Sequence, residues 1–416
     1  MMRMQGIDIL AVQAHIKKLA ELGQTPDGGT SRLSYSEAWQ QAQDFVSGLM
    51  QAAGMTVERD AFGNLIGTCR GQNQSLPYLM TGSHLDTVPE GGSLDGALGI
   101  IGAIECIRSW RVNGFKPLRT VKIVATVEEE GTLFGVGCLG SRVMAGEMPL
   151  EKLVQLKDRS GKTLQQYLSA QQLDIAAAGA ARIATEDIHA FLELHVEQGS
   201  ELDISGQPWA VVTDIVGIDR LWITLQGHAN HAGTTRMDRR KDALVAAGRL
   251  VQEIYQNALD SQGLYVSTAG TCCVAPGAVN VIPGQVELAV ETRASQDAVM
   301  ERVYQNIISL LQGIEKQYGV KGAITRRSTT PAVSLAPTMI KEFEKAAHKL
   351  DMAVCKMPSW AGHDAKIMAG ITSCGMLFVP SRNGISHSRE EDTRWTDVEK
   401  GLQVFCETMQ CIASGR

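Results

Sequence analysis

The strongest constraint on this chain is the alternation of near-continuous apolar runs with helical patterns through its first half. LPYLMTGS (76–83) is followed by GALGIIGAIECIRSW (96–110), TVKIVATVEEEG (120–131) and IHAFLELHVEQG (188–199). A strand with one wet face alternates apolar and polar residues, whereas an unbroken apolar strand needs cover on both faces, which crossover helices supply. The pattern predicts an α/β domain with a mostly parallel sheet. From about residue 215 the texture changes. RLWITLQG and VNVIPGQVELAVETRA alternate with period two, and helical stretches run over about 239–257 and 295–317. Strand–helix–strand–strand–helix–strand predicts a smaller α+β, ferredoxin-like domain with one exposed sheet face. After about 330 a helical pattern (TMIKEFEKAAHKL), a short buried strand (GMLFVP) and a final helix restore the first texture. At 416 residues the chain exceeds one ordinary core. The expected organisation is a larger domain over 1–214 and 330–416, interrupted by a smaller one over 215–329.

Composition narrows the function. A net charge of −6 argues against a nucleic-acid or anionic-membrane partner, either of which favours a basic face. No apolar run reaches the ~18 residues that span a bilayer. MMRMQGIDILAVQAHIKKLAEL reads as an amphipathic helix and not a signal peptide. Nine cysteines with no CxxC pair suit a reducing compartment, so a cytoplasmic location is expected.

Five polar clusters follow apolar strands or open helices: His84-Leu85-Asp86, Asp95-Gly96, Glu128-Glu129-Glu130-Gly131, the stretch Glu193 to Gly199, and Asn383 to His387. Taken singly each has a plain reading, a capping histidine or a solvated acidic loop. Their shared position changes this, because open α/β sheets place their sites beyond the carboxyl ends of the strands. Three adjacent carboxylates repel one another unless a cation neutralises them. Histidines and carboxylates without thiolates suit Zn²⁺, Mn²⁺ or Co²⁺, and a carboxylate can bridge two ions. Residues two apart at a strand end point the same way, so Asp86 is expected to orient His84.

Gly135-Val136-Gly137-Cys138-Leu139-Gly140 fits the dinucleotide pattern GxGxxG, but a polar segment separates it from its strand and no strand-end acid follows at the required distance. These glycines are expected to shape a loop and open a helix. In the smaller domain His231 lies in a glycine-bounded polar loop, Asn280 in VNVIPG and Arg293 in VETRA. Two readings stand equally: together they clamp a substrate carboxylate, or Arg293 is a surface ion-pair partner and Asn280 a turn former.

GSHLDTV, LDG, EEEG, ELHVEQG, GHANHAGTT, NVIPG, AGHDA and NGISHS occur in the order found in the amidase/carbamoylase branch of the M20 metallopeptidase family, which the chain resembles from GGTSRLSYS near 28 to NGISHS near 383. That branch includes N-carbamoyl-L-amino acid hydrolases, allantoate amidohydrolases and β-ureidopropionases. The resemblance implies two divalent ions, one held by His84 and His195, the other by Glu130 and His387, with Asp95 bridging. It implies Glu129 as general base, Asp86 as the residue orienting His84, and Gln198, His231, Asn280 and Arg293 as substrate-binding residues. It further implies a ureido or amide substrate carrying a carboxylate, and a homodimer joined through a smaller domain that also acts as a lid, whose histidine reaches the neighbouring site. The run EEEGTLFGVGCLGSRVMAG is closer to the carbamoyl-amino-acid hydrolases than to the allantoate enzymes. Arg236 departs from the proline common after Gly-Thr-Thr, and Trp360 from the smaller residues usual before Gly362.

Overall fold

The computed structural model describes residues 6–415. They divide into two compact units, 6–213 with 335–415, and 214–334. The second boundary falls later than the sequence suggests: pairing within the smaller sheet ends at Thr330, and Val333 and Ser334 pair back onto Ile215 and Asp214.

The larger unit is built on a mixed sheet. Its first strands are β1 (Thr56–Arg59), β2 (Leu65–Cys69), β3 (Tyr78–His84), β4 (Val121–Thr126), β5 (Ile188–Val196) and β6 (Ala210–Ile215). The smaller unit contains β7 (Gly217–Gln226), β8 (Asn230–His231), β9 (Tyr265–Ala275), β10 (Val281–Ile282), β11 (Gln285–Ala294) and β12 (Lys321–Thr330). β13 (Val333–Ser334) then pairs with Ile215 and Asp214, and β14 (Lys356–Ser359) and β15 (Ser373–Val379) complete the large sheet.

In that sheet β4, β3, β5 and β15 lie side by side and run parallel, and antiparallel strands flank them, β2 beside β4 and β6 beside β15. The parallel centre is the part the unbroken apolar runs announce. Six of the seven residues of β3 are buried, as are eight of the nine of β5 and six of the seven of β15. The short antiparallel strands β1 and β2 beyond β4 lie outside that signal. The helix Ala97–Val112 packs on β3, β4 and β5, and the helices Pro337–Lys349 and Trp395–Ala413 pack on β15. The first of these is buried almost all round, as expected of a helix apolar on every face. The N-terminal helix is Ile9–Glu21, started by the Asp8 carboxylate, which accepts from the Ala11 N–H. The part of this helix predicted over residues 1–5 lies outside the described residues.

The smaller unit is a four-stranded antiparallel sheet in the order β12-β7-β11-β9, with the helices Ala243–Asp260 and Asp297–Tyr318 packed on it. This is the split β-α-β topology of ferredoxin-like domains. Leu221, Ile223 and Leu225 of β7 and Val286, Leu288 and Val290 of β11 bury one face against the two helices. Asp242 caps the first helix through the Leu244 and Val245 N–H groups, and Gly319, left-handed at φ 61°, ends the second.

Candidate metal centre and active site

Because β4, β3, β5 and β15 are parallel, their carboxyl ends share one edge of the sheet, and the clusters picked out in the sequence meet there. His84 ends β3 and His195 is the penultimate residue of β5, 1% and 2% exposed. Glu129 and Glu130 follow β4, and His387 follows β15. Asp95, buried, opens the helix Ala97–Val112.

Two donor sets form around Asp95. Its Oδ1 lies 3.4 Å from His84 Nε2 and 3.1 Å from His195 Nε2. Its Oδ2 lies 3.2 Å from His387 Nε2, which is 3.5 Å from Glu130 Oε2. His84–Asp95–His195 and Asp95–Glu130–His387 therefore each converge as a candidate metal-ligand set, and Asp95 belongs to both through different oxygens. Tautomers suit the role. His84 Nδ1–H donates to the Asp86 carbonyl and His195 Nδ1–H to the Val196 carbonyl, both at 2.8 Å, which leaves each Nε2 lone pair facing the cluster.

Asp86 holds the His84 ring as expected, but through a different atom. Its main-chain carbonyl, not its carboxylate, holds His84. The carboxylate turns to the acidic loop, where Oδ2 accepts from the Glu130 N–H at 3.2 Å. The three glutamates of that loop have separate work. Glu128 Oε1 accepts from the Leu133 and Phe134 N–H groups and shapes the loop. Glu129 approaches His84 Nε2 at 3.6 Å and accepts from the Cys138 thiol at 3.1 Å. Glu130 joins the second donor set.

The electrostatics fit cations. Burial, then the neighbouring Asp95 charge, pushes the Glu130 carboxyl up to about 7. Burial likewise pushes Glu129 well above the usual carboxylate range, although His84 opposes it. For Asp95 burial also favours the neutral acid, but bonds from His195, His387 and His84 outweigh it and hold the group well below its usual range. Concentrated carboxylates that must hold protons in the absence of cations are what a divalent-ion site presents. With only N and O donors, these residues fit Zn²⁺, Mn²⁺ or Co²⁺. A third group, Glu193, His195 and His363, also converges. Its donors are already engaged: Glu193 accepts from Ser83 Oγ at 2.9 Å and the Ala365 N–H at 2.8 Å, and His363 Nε2 pairs with Ser359 Oγ at 2.8 Å.

Gln198 reaches the cluster from the end of β5, its Nε2 donating to Asp95 Oδ2 at 2.9 Å and lying 3.2 Å from His387 Nε2. The three residues of the smaller unit do not come together within it. β8 and β10 pair His231 with Val281, and the Ala232 N–H donates to the Asn280 carbonyl, so His231 and Asn280 are neighbours. His231 Nδ1 accepts from the Gly233 and Thr234 N–H groups, which places the ring proton on an exposed Nε2. Arg293 sits at the other end of β11, opposite Ile218, with Nε donating to Glu291 at 2.8 Å. Eight strand positions at ~3.3 Å each separate it from Gln285 beside the β10 end, roughly 25 Å, so one small carboxylate cannot touch all three in a single copy.

Sequence reasoning missed Glu391. It is buried, accepts from the Leu94 and Asp95 N–H groups at 2.7 and 3.2 Å, and takes the Ser386 hydroxyl at 2.9 Å. A Cβ on Gly92 would strike its carboxylate, which explains the glycine there. Within SREED nothing distinguishes it from a solvated acid. His363 and Asp364 of AGHDA stood out as a motif without a role; Asp364 accepts from Thr126 Oγ1 at 2.5 Å and from Ser141 Oγ. The GxGxxG glycines shape a loop that opens the helix Leu139–Met144.

Residues 80–410 match the model of peptidase family M20/M25/M40. The chain belongs to this family. It is 34% identical over 411 residues to an N-carbamoyl-L-amino-acid amidohydrolase of Paenarthrobacter aurescens, covering 99% of this chain and 100% of that one. It is 33% identical to an allantoate amidohydrolase of Bacillus subtilis, covering 97% of each. A crystal structure of an amidase of the hydantoinase/carbamoylase family from Burkholderia multivorans superposes with a TM-score of 0.91 at 32% identity, covering 98% of each chain. Among the described residues no helix is long and apolar enough to cross a membrane.

Proposed function

We propose that the chain is a metal-dependent amidohydrolase that cleaves the ureido C–N bond of an N-carbamoyl-L-amino acid, giving the amino acid, CO₂ and ammonia. The observation that carries this reading is the division of Asp95 between two His/carboxylate sets with the Glu129 carboxylate alongside. Two divalent ions held by His84 and His195, and by Glu130 and His387, would acidify a water and polarise the substrate carbonyl. The chain's own residues do the rest. Glu129 takes a proton from the water and returns it to the leaving nitrogen, the role for which a buried carboxylate of raised proton affinity is suited. Gln198 orients the reacting groups, and the His231 Nε2–H is a donor for a developing oxyanion. Arg293 offers a planar fork for the substrate carboxylate.

Because His231 and Arg293 lie at opposite ends of the smaller sheet, we read the protein as a homodimer in which the two residues serve different centres. Mixing inactive His231→Ala and Arg293→Ala proteins under exchange should then restore part of the activity, and unmixed-level activity after exchange would refute the shared arrangement.

Allantoate is the alternative substrate, favoured by a relative whose identity differs by a single percentage point; β-ureidopropionate is a third. Protein loaded with Mn²⁺, Co²⁺ or Zn²⁺ is assayed for ammonia release on N-carbamoyl-L-amino acids, allantoate and β-ureidopropionate, with N-acetyl amino acids as controls. We expect turnover of the carbamoyl substrates, its loss with EDTA, and a Glu129→Gln protein that keeps metal but loses about 10²-fold or more in kcat. Full activity without metal would overturn the mechanism, and turnover of allantoate alone would overturn the substrate.

A further inference from the structure

A cavity of about 300 Å³ lies in the larger unit at the opposite end of the Ala97–Val112 helix from Asp95. That helix has 16 residues, so at ~1.5 Å per residue the cavity sits about 20 Å along it from the metal-ligand cluster. It lies between the last turns of this helix and of Glu37–Ala52, beside the end of β2 and the loop before β4. Its lining combines two features. Ile107, Trp110 and Phe115 supply an apolar part, with the Trp110 and Phe115 rings edge-to-face at 5.1 Å. Arg70, Arg111 and Lys116 surround it, all three exposed.

Among the described residues none of these three cations forms an ion pair with a carboxylate and no acidic residue lines the cavity, in a protein of net charge −6. The ordinary explanation for basic residues at such a place is the helix dipole. Arg111 does donate to the Ala52 carbonyl at 3.3 Å, at the end of the neighbouring helix. Two helix C-termini offer about half a negative charge each, roughly one in all, against three cations, so most of the positive charge is left over. Trp110 and Ile107, 3% and 2% exposed, form the closed apolar floor beneath these cations.

We propose that this cavity is a binding site for a small organic anion with an aromatic or branched apolar body, separate from the metal centre. The apolar body fills the space over Ile107, Trp110 and Phe115, and its carboxylate or phosphate head lies among Arg70, Arg111 and Lys116, where arginine can bond it bidentately. The volume is at the lower end for small-molecule sites, which limits the occupant to a single ring or its equivalent.

The test uses full-length protein and two probes of equal shape and opposite charge, 4-fluorophenylacetate and 4-fluorophenethylamine, followed by ¹⁹F line broadening, with inorganic phosphate as competitor. We expect saturable broadening of the acid and none of the amine, with phosphate a poor competitor. Arg111→Ala and Lys116→Ala should each weaken binding several-fold at unchanged thermal midpoint, and Arg70→Glu with Lys116→Glu, on the cavity rim, should abolish it. His84→Ala should leave it intact, which separates this site from the metal centre and from the fate of the amidohydrolase reading. Equal binding of acid and amine, no broadening of the acid, unchanged affinity in the folded rim variants, loss of binding in His84→Ala, or phosphate competing as well as the acid would overturn the proposal.

Discussion

Glu391 shows how much of this site depends on a residue that touches neither set of ligand atoms with its own donors. Its Oε2 takes the main-chain N–H groups of Leu94 and Asp95, and Oε1 takes the Ser386 hydroxyl, one residue before His387. One carboxylate thus ties the loop carrying the shared ligand to the loop carrying His387. Such supporting contacts typically carry a 10–100-fold effect on metal affinity. Glu391→Gln keeps the shape but weakens charge-assisted bonds to two N–H donors. We expect metal affinity, measured by competition with a chromogenic chelator, to fall about tenfold or more while the apo fold is retained. An unchanged affinity would mean that Asp95 is placed by its own helix alone.

At the scale of elements, the approach of the Ala97–Val112 helix to β3 is set by Gly96. It holds a φ of +67°, and a Cβ there would lie 2.6 Å from the His84 ring. Both the left-handed backbone and the close approach exclude any side chain. Gly96→Ala should therefore push the helix start off His84, lowering the thermal midpoint and the metal affinity together; a loss of midpoint with normal metal affinity would show that the helix can move without disturbing the ligands. This contact also marks where the sequence stops being legible. The helix and strand were visible in their apolar runs, and His84 and Asp95 stood out as polar residues at their ends. The parallel centre of the sheet was legible because burial on both faces removes alternation, whereas β1 and β2, short and antiparallel, left no such mark. Which atom does the work was not legible. Asp86 at spacing two looked like a side-chain partner for His84, yet its carbonyl does that work and its carboxylate goes to the Glu130 N–H. Spacing reports which residues can be neighbours, and a main-chain carbonyl is present at every position. For Arg293, Asn280 and His231 the clamp and the surface readings stood equal, because sequence carries no measure of distance along a folded strand.

For the whole molecule, the clustered acids and histidines couple metal binding to stability and pH. Burial, then Asp95, raises the Glu130 carboxyl from an ordinary 4.5 to about 7. Hydrogen bonding to Asp95 raises His387 from 6.5 to about 9. Both groups hold a proton more tightly in the folded metal-free protein than in the unfolded chain. Their contribution to stability is therefore complete at low pH and is lost as pH rises, between about 4.5 and 7 for Glu130 and between about 6.5 and 9 for His387. His387 is half exposed, so solvent moderates its share. A divalent ion reverses the trend, since it binds the deprotonated ligands and replaces the protons' charge. The thermal midpoint of EDTA-treated protein should consequently fall from pH 5.5 to pH 8.5 relative to that of Mn²⁺-loaded protein, so that the stabilisation given by the metal widens with pH. His387→Gln, which cannot hold the extra proton, should flatten the upper part of that widening while leaving the part below pH 7, which belongs to Glu130. A gap that stays constant across the range would show that these groups do not exchange protons for metal, and would remove the electrostatic argument for a cation site at the carboxyl edge of the sheet.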